Sequence, residues 1–219
     1  KDNIRIFSPK GDNIGVINPG ALETYSSVVS PDSRFISVAS MQCDAKIWEV
    51  GGDKDGYRLL GKVMELTGRS GGGGATGHSA AVHSVDFGGS SPAVLVAETK
   101  TAVTASKDGT CKLWNIDVRY KFNEDPKCTR TIPSPDSKSI QHVAISSGGT
   151  SKFVATWSTT AGLCFFSTAD GELKSQIAVE ETGTVFLMEW SPGPLGSHEE
   201  VLATASADGK TRFWIPLAP

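Results

Sequence analysis

Short apolar and β-branched runs alternate along the whole chain with Gly, Ser, Asp and Pro, and helix signals are sparse. That rhythm predicts many short strands joined by turns. One strand pattern recurs, an aliphatic run ending in Trp or Phe. It occurs at Ile4-Arg5-Ile6-Phe7, Lys46-Ile47-Trp48-Glu49, Lys112-Leu113-Trp114-Asn115, Leu163-Cys164-Phe165-Phe166 and Arg212-Phe213-Trp214-Ile215. Near-identical text precedes two of these, Thr104-Ala105-Ser106-Lys107-Asp108-Gly109-Thr110 and Thr204-Ala205-Ser206-Ala207-Asp208-Gly209-Lys210. Asp-Gly between alternating strands is a hairpin signal, because Gly accepts positive φ at little cost. A second motif opens each unit: Val28-Val29-Ser30-Pro31-Asp32, Val85-Asp86-Phe87, Val143-Ala144-Ile145-Ser146 and Met188-Glu189-Trp190-Ser191-Pro192.

Internal repetition of this kind points to a β-propeller, an all-β ring of four-stranded blades. The pattern predicts inner strand a near 24–30, 80–88, 140–146 and 183–190, and strand b near 34–40, 101–106, 152–157 and 200–206. Strand c is expected near 3–7, 44–49, 110–115, 161–167 and 210–215, and outer strand d near 13–18, 57–66, 128–132 and 172–178. The blades then run 1–18 (strands c and d only), 24–66, 80–132, 140–178 and 183–215 (strands a to c), three complete units between two partial ones. Blades bury their faces against one another, so partial units predict further blades upstream. Gly51–Gly56 is expected to extend a c–d turn. Residues 67–77 form a Gly-rich segment, expected to be a flexible surface loop. A phosphate-binding loop there is disfavoured, since no Lys-Ser/Thr follows and no helix begins.

The 219 residues carry a net charge of −3, a poor match for a nucleic-acid binder. No run approaches the roughly 20 apolar residues of a membrane helix. The chain opens without Met, so it reads as part of something longer, and an upstream anchor stays open. Cys43, Cys111, Cys128 and Cys164 lie far apart with no CxxC pair. They are expected to be free thiols in a reducing, intracellular compartment.

One constellation carries chemistry. Gly77-His78 precedes a strand a, Thr104 lies on the following strand b, Asp108 sits in the b–c hairpin and Trp114 ends strand c. This set resembles the WD40 repeat family, and the resemblance spans nearly the whole chain. It implies a buried hydrogen-bond chain from the Trp114 indole through Thr104 and His78 to Asp108. The last unit keeps Thr204, Asp208 and Trp214, with Glu181 where His would be. The unit at 24–66 keeps Ser40 and Trp48, while that at 140–178 has Phe166 in the Trp position and no matching Asp-Gly turn. A Thr–His–Asp set also invites a hydrolase reading. That reading is disfavoured, because Thr104 sits mid-strand against a Trp donor with no elbow turn to expose it.

More specific text runs through Ala45-Lys46-Ile47-Trp48-Glu49-Val50, Glu65-Leu66, residues 77–84 and Ser106–Lys121, continuing to Glu124-Asp125-Pro126. It resembles the transducin β-like group of WD40 proteins. The resemblance implies a seven-bladed propeller facing the cytosol, an N-terminal anchor in the endoplasmic reticulum membrane, and a scaffold role near stress signalling and translation.

Propellers of this family bind partners mainly on the face made by the d–a and b–c loops. Similarity to the G-protein β subunits implies that side chains at the start of strand a point onto that face. Here these are Tyr25, His83, Gln141 and Phe186, with Glu23, Ala81, Ser139 and Thr184 two residues earlier. Tyr and Phe there fit a hot-spot role. The leading expectation is a non-catalytic scaffold for proteins or peptides, without cofactor, metal or small-molecule substrate, touching membrane only through an anchor outside this chain. A ribosome- or RNA-associated subunit is the alternative. A third class, an enzyme framed on the propeller, requires clustered acids or metal ligands at the central channel, and none is evident in the sequence. His78 and His83 are five residues apart and face opposite sides of a strand, which argues against joint metal binding. His142 and His198 have no evident partners, and Trp157 and Trp190 are expected in the core. Ser30-Pro31-Asp32-Ser33 and Ser134-Pro135-Asp136-Ser137 read as turns rather than phosphorylation sites.

Overall fold

The computed structural model describes residues 3–8, 10–53, 56–68, 77–89, 98–146, 152–192 and 200–216. Most of the Gly-rich segment and His198 lie outside them. Seventeen strands form five antiparallel sheets among the described residues. The first sheet pairs β1 (Ile4–Phe7) with β2 (Asn13–Ile17). The second contains β3 (Thr24–Val29), β4 (Phe35–Ser40), β5 (Ala45–Asp53) and β6 (Gly56–Glu65). The third contains β7 (Val82–Gly89), β8 (Thr99–Ser106), β9 (Thr110–Asn115) and β10 (Lys127–Pro133). The fourth contains β11 (His142–Ile145), β12 (Phe153–Ser158), β13 (Gly162–Ser167) and β14 (Leu173–Ile177). The last has β15 (Val185–Trp190), β16 (Leu202–Ser206) and β17 (Thr211–Trp214). Strands follow chain order across every sheet, a simple meander repeated blade by blade.

Alternation of side chains explains how the sheets stack. Ile36 and Val38 of β4 face the first sheet, where they pack with Ile17 and Trp48. Their neighbours Phe35 and Ala39 face the third, against Val82, Val85, Phe87 and Trp114. Val103 and Leu113 meet Val143, Val154 and Phe166 of the fourth. Phe153, Ala155 and Phe165 meet Val185, Met188, Trp190 and Leu202 of the last. A sheet sandwiched between two others buries both faces, so its central strands become continuous apolar runs. Every residue of β4, β12 and β13 is buried accordingly. In β17 alternate residues are exposed, Phe213 among them. The arrangement is a β-propeller of radially packed blades.

Two local features refine the sequence reading. Gly51–Gly56, expected to extend a turn, instead lengthens the hairpin: β5 runs to Asp53 and β6 begins at Gly56. Both Ser-Pro-Asp-Ser stretches make one turn structure. Ser30 donates to Asp32 Oδ1 at 2.5 Å, Asp32 accepts the Arg34 N–H at 3.1 Å, and Ser33 adopts φ 59°. Ser134, Asp136, Lys138 and Ser137 repeat it, at 2.7 Å, 3.1 Å and φ 55°. Both leading serines are buried.

Candidate partner-binding face

The d–a and b–c connections lie at one end of the blades, and in the third sheet they are pinned together. Trp114 Nε1 donates to Thr104 Oγ1 at 2.9 Å. Thr104 stands 2.7 Å from His78 Nε2, and His78 Nδ1 stands 2.9 Å from Asp108 Oδ2. With the imidazole neutral, one proton assignment serves all three bonds: the hydroxyl accepts from the indole and donates to Nε2, and Nδ1–H donates to the carboxylate. Asp108 also accepts from Ser79 N–H at 3.0 Å, Thr110 N–H at 2.9 Å and Thr110 Oγ1 at 2.6 Å. Burial lowers the His78 pKa, outweighing the pull of Asp108, so the imidazole is neutral near pH 7. Burial alone would raise Asp108. Bonds from His78, Thr110 and Ser79 outweigh it and hold the carboxyl well below its ordinary range.

The other blades solve the same problem differently. In the last sheet Trp214 Nε1 donates to Thr204 Oγ1 at 2.9 Å, but Asp208 is gripped by Arg212, whose Nη2 donates to Oδ2 at 2.6 Å. Ser206 also donates to Asp208. Glu181, expected in the His position, lies in a short helix, Val179–Thr182, and is exposed. In the fourth sheet, where Phe166 takes the Trp position, Trp157 Nε1 reaches Thr182 Oγ1 of that helix at 3.3 Å.

The start of strand a has a recurrent irregularity. Pairing skips one residue between Thr24 and Ser26, between Val82 and Ser84, and between Val185 and Leu187. The skipped residues are Tyr25, His83 and Phe186. A bulge re-aims the side chain it carries, and all three line one cavity of about 220 Å³. Tyr25 and His83 meet edge to face, with centroids 5.3 Å apart. Tyr25 OH donates to Glu23 at 3.1 Å, and His83 Nδ1 lies 3.0 Å from the Ile140 carbonyl. Tyr25 and Phe186 are 44% and 60% exposed, so large apolar rings stand open at the rim.

The remaining predicted face residues play other parts. Gln141 does not line the cavity: its Oε1 accepts the Thr159 N–H at 3.1 Å and its Nε2 donates to Ser139 Oγ at 3.4 Å. The carbonyls of Glu23, Ala81 and Thr184 accept N–H bonds from Met41, Lys107 and Ala207, closing the b–c turns.

The cavity also holds residues that sequence reasoning missed, chiefly His142, Asp86 and Glu189. This corrects the expectation that the channel offers no acids. Asp86 Oδ1 accepts Phe87 N–H at 2.8 Å and Oδ2 accepts Ile145 N–H at 2.9 Å, tying the third sheet to the fourth. Burial nevertheless pushes the Asp86 carboxyl up to about 7, with Glu189 adding to the rise. Burial raises Glu189 as well, and it lowers His142, helped by His83. Among the described residues no group of three or more His, Cys, Asp and Glu side chains could hold a metal ion. A charged residue inside an apolar strand motif, Val85-Asp86-Phe87 and again Met188-Glu189-Trp190, was the available signal.

Comparison with known proteins agrees with this architecture. Residues 74–115 match the family model described as WD domain, G-beta repeat. Over 129 residues, 58% of this chain, the sequence is 34% identical to transducin beta-like protein 2 from Mus musculus and, equally, from Homo sapiens. It is 26% identical over 203 residues, 84% of this chain, to mitochondrial division protein 1 from Kluyveromyces lactis. Each alignment spans 25% of the relative's length. Residues 74–115 thus match a WD40 repeat, the sheets of the described residues have the architecture of a β-propeller, and the chain resembles transducin beta-like protein 2.

Proposed function

We propose that the chain is a non-catalytic docking platform that holds a protein or peptide on the face formed by its d–a and b–c connections. One observation carries the reading: three blades use the same strand-a bulge to bring Tyr25, His83 and Phe186 to a single cavity. Exposed aromatic rings on a rigid backbone supply contact area at little entropic cost. A protein or peptide fits better than RNA, since the cavity lining contains no Lys or Arg among the described residues and the net charge is −3. The setting belongs to the same proposal: a cytosol-facing scaffold, anchored at the endoplasmic reticulum, near stress signalling and translation. Its support is the similarity to transducin beta-like protein 2.

Affinity capture with the intact protein tests docking. Tyr25→Ala/Phe186→Ala should lose partners that wild type retains. Phe122→Ser should keep them, because Phe122 is exposed on a c–d connection away from the face. Partners captured equally by the double variant and wild type would refute the reading.

A further inference from the structure

The cavity has an internal charge imbalance that docking of rings alone leaves unused. Among the described residues its lining has two carboxyl side chains, Asp86 and Glu189, and no lysine or arginine. The two acids stand at one height. Asp86 pairs with Val103 and Glu189 with Ala203, each three residues before the serine (Ser106, Ser206) that ends strand b. Val28 and Ala144 take that height in the second and fourth sheets. The bulge residues sit three positions earlier on each strand. At about 3.3 Å per residue, the aromatic rim lies roughly 10 Å above the acids along the strand direction. Only a long side chain spans that depth with its polar end at the bottom, and arginine and lysine alone bring positive charge there.

The rim suits such a stem. Tyr25 and Phe186 present exposed rings, which attract a cation passing over their faces. The acids suit its end. Asp86 spends one lone pair per oxygen on backbone N–H groups, which leaves each oxygen able to accept another bond. Glu189 is exposed. Burial of Asp86 and partial desolvation of Glu189 disfavour their ionisation, and a guanidinium between them would favour it. We propose that the cavity takes an arginine side chain of the docked partner, its stem against Tyr25 and Phe186 and its guanidinium at Asp86 and Glu189. Arginine fits better than lysine because a planar guanidinium both stacks on rings and offers separate donors to two carboxylates. This inference rests on the docking reading above.

The test uses the intact protein and three labelled pentapeptides, acetyl-Gly-Ala-X-Ala-Gly-amide with X as arginine, lysine or citrulline, in a binding titration at low and high salt. The arginine peptide should bind at least about tenfold more tightly than its neutral citrulline isostere, with lysine between them. Added salt should weaken the arginine peptide and leave citrulline unaffected. Glu189→Gln should reduce arginine binding about tenfold and not citrulline binding, with the melting temperature unchanged. Equal affinity for arginine and citrulline, no measurable arginine binding, or full affinity in Glu189→Gln would overturn the proposal. Its failure is separable from failure of the docking reading. If Glu189→Gln keeps the captured partners that Tyr25→Ala/Phe186→Ala loses, docking stands without the arginine. If both variants keep them, both readings fall.

Discussion

The third and last sheets carry the same text before strand c, yet they use it differently. Both turns place Gly in the left-handed region, Gly109 at φ 80° and Gly209 at φ 77°. Both let the aspartate cap the next strand, through Thr110 N–H at 2.9 Å and Lys210 N–H at 3.1 Å. There the likeness ends. Asp108 reaches thirty residues back to His78 and pins the d–a loop. Asp208 grips Arg212, four residues on, within its own hairpin. A side chain added at Gly109 would meet the Ser137 carbonyl at 2.7 Å, whereas at Gly209 nothing among the described residues lies within 4 Å. Turn chemistry is therefore local and shared. What the aspartate holds depends on the residue the preceding loop supplies and on whether a neighbouring blade crowds the turn.

The largest effect should separate these two aspartates. Asp108→Ala takes the carboxylate from a buried imidazole N–H, leaving it Thr110 Oγ1 at 3.2 Å, and should cost about 2 kcal/mol in denaturant unfolding. Asp208→Ala breaks a solvent-exposed pair and should shift the same curve much less. Equal shifts would mean that the long-range bond adds nothing.

A pH series sharpens the contrast between groups that burial treats oppositely. The His78 pKa is lowered on folding, so its contribution is full above about 6.5 and is lost as pH falls below it. Asp86 is raised from 3.8 to about 7, so its contribution is full below 3.8 and is lost as pH rises toward 7. Asp86→Asn removes that loss. Its melting temperature relative to wild type should climb steadily between about pH 4 and 7. A constant difference over that window would show that Asp86 titrates normally.

Smaller effects follow at the blade-to-blade contacts. Thr182→Val takes the acceptor from the buried Trp157 indole and should cost about 1 kcal/mol, read from the same unfolding curves. Tyr120 OH donates to Glu49 at 2.7 Å and accepts from Arg34 at 3.3 Å, linking the c–d connection of one blade to β5 and the a–b turn of the one before. Tyr120→Phe should cost about 0.5 kcal/mol, since that site is partly solvated.

The blade architecture was legible because it is written in local codes. Asp-Gly turns, the Trp or Phe that ends strand c, and the apolar runs of sandwiched strands each depend on near neighbours or on burial of both faces. The His78-to-Trp114 arrangement was legible only through the family resemblance, since nothing local joins residues so far apart in the chain. The face was legible in part. Tyr25, His83 and Phe186 come together because their strands share a bulge, while Gln141 turns aside to cap the Thr159 N–H. Arg212 was not recognised because it reaches Asp208 from strand c of the same hairpin, not from the loop before strand a. Asp86 and Glu189 were passed over because a charge within an apolar strand declares its neighbours only once the blades are arranged around one channel.

Hydrogen exchange with a captured partner bound shows where on the blades that partner sits. If the partner seats over the cavity, protection should rise at 23–28, 81–86 and 183–189, the three strand-a starts, and stay unchanged along β6, β10 and β14. Protection confined to those outer strands, with the strand-a starts unaltered, would contradict the account.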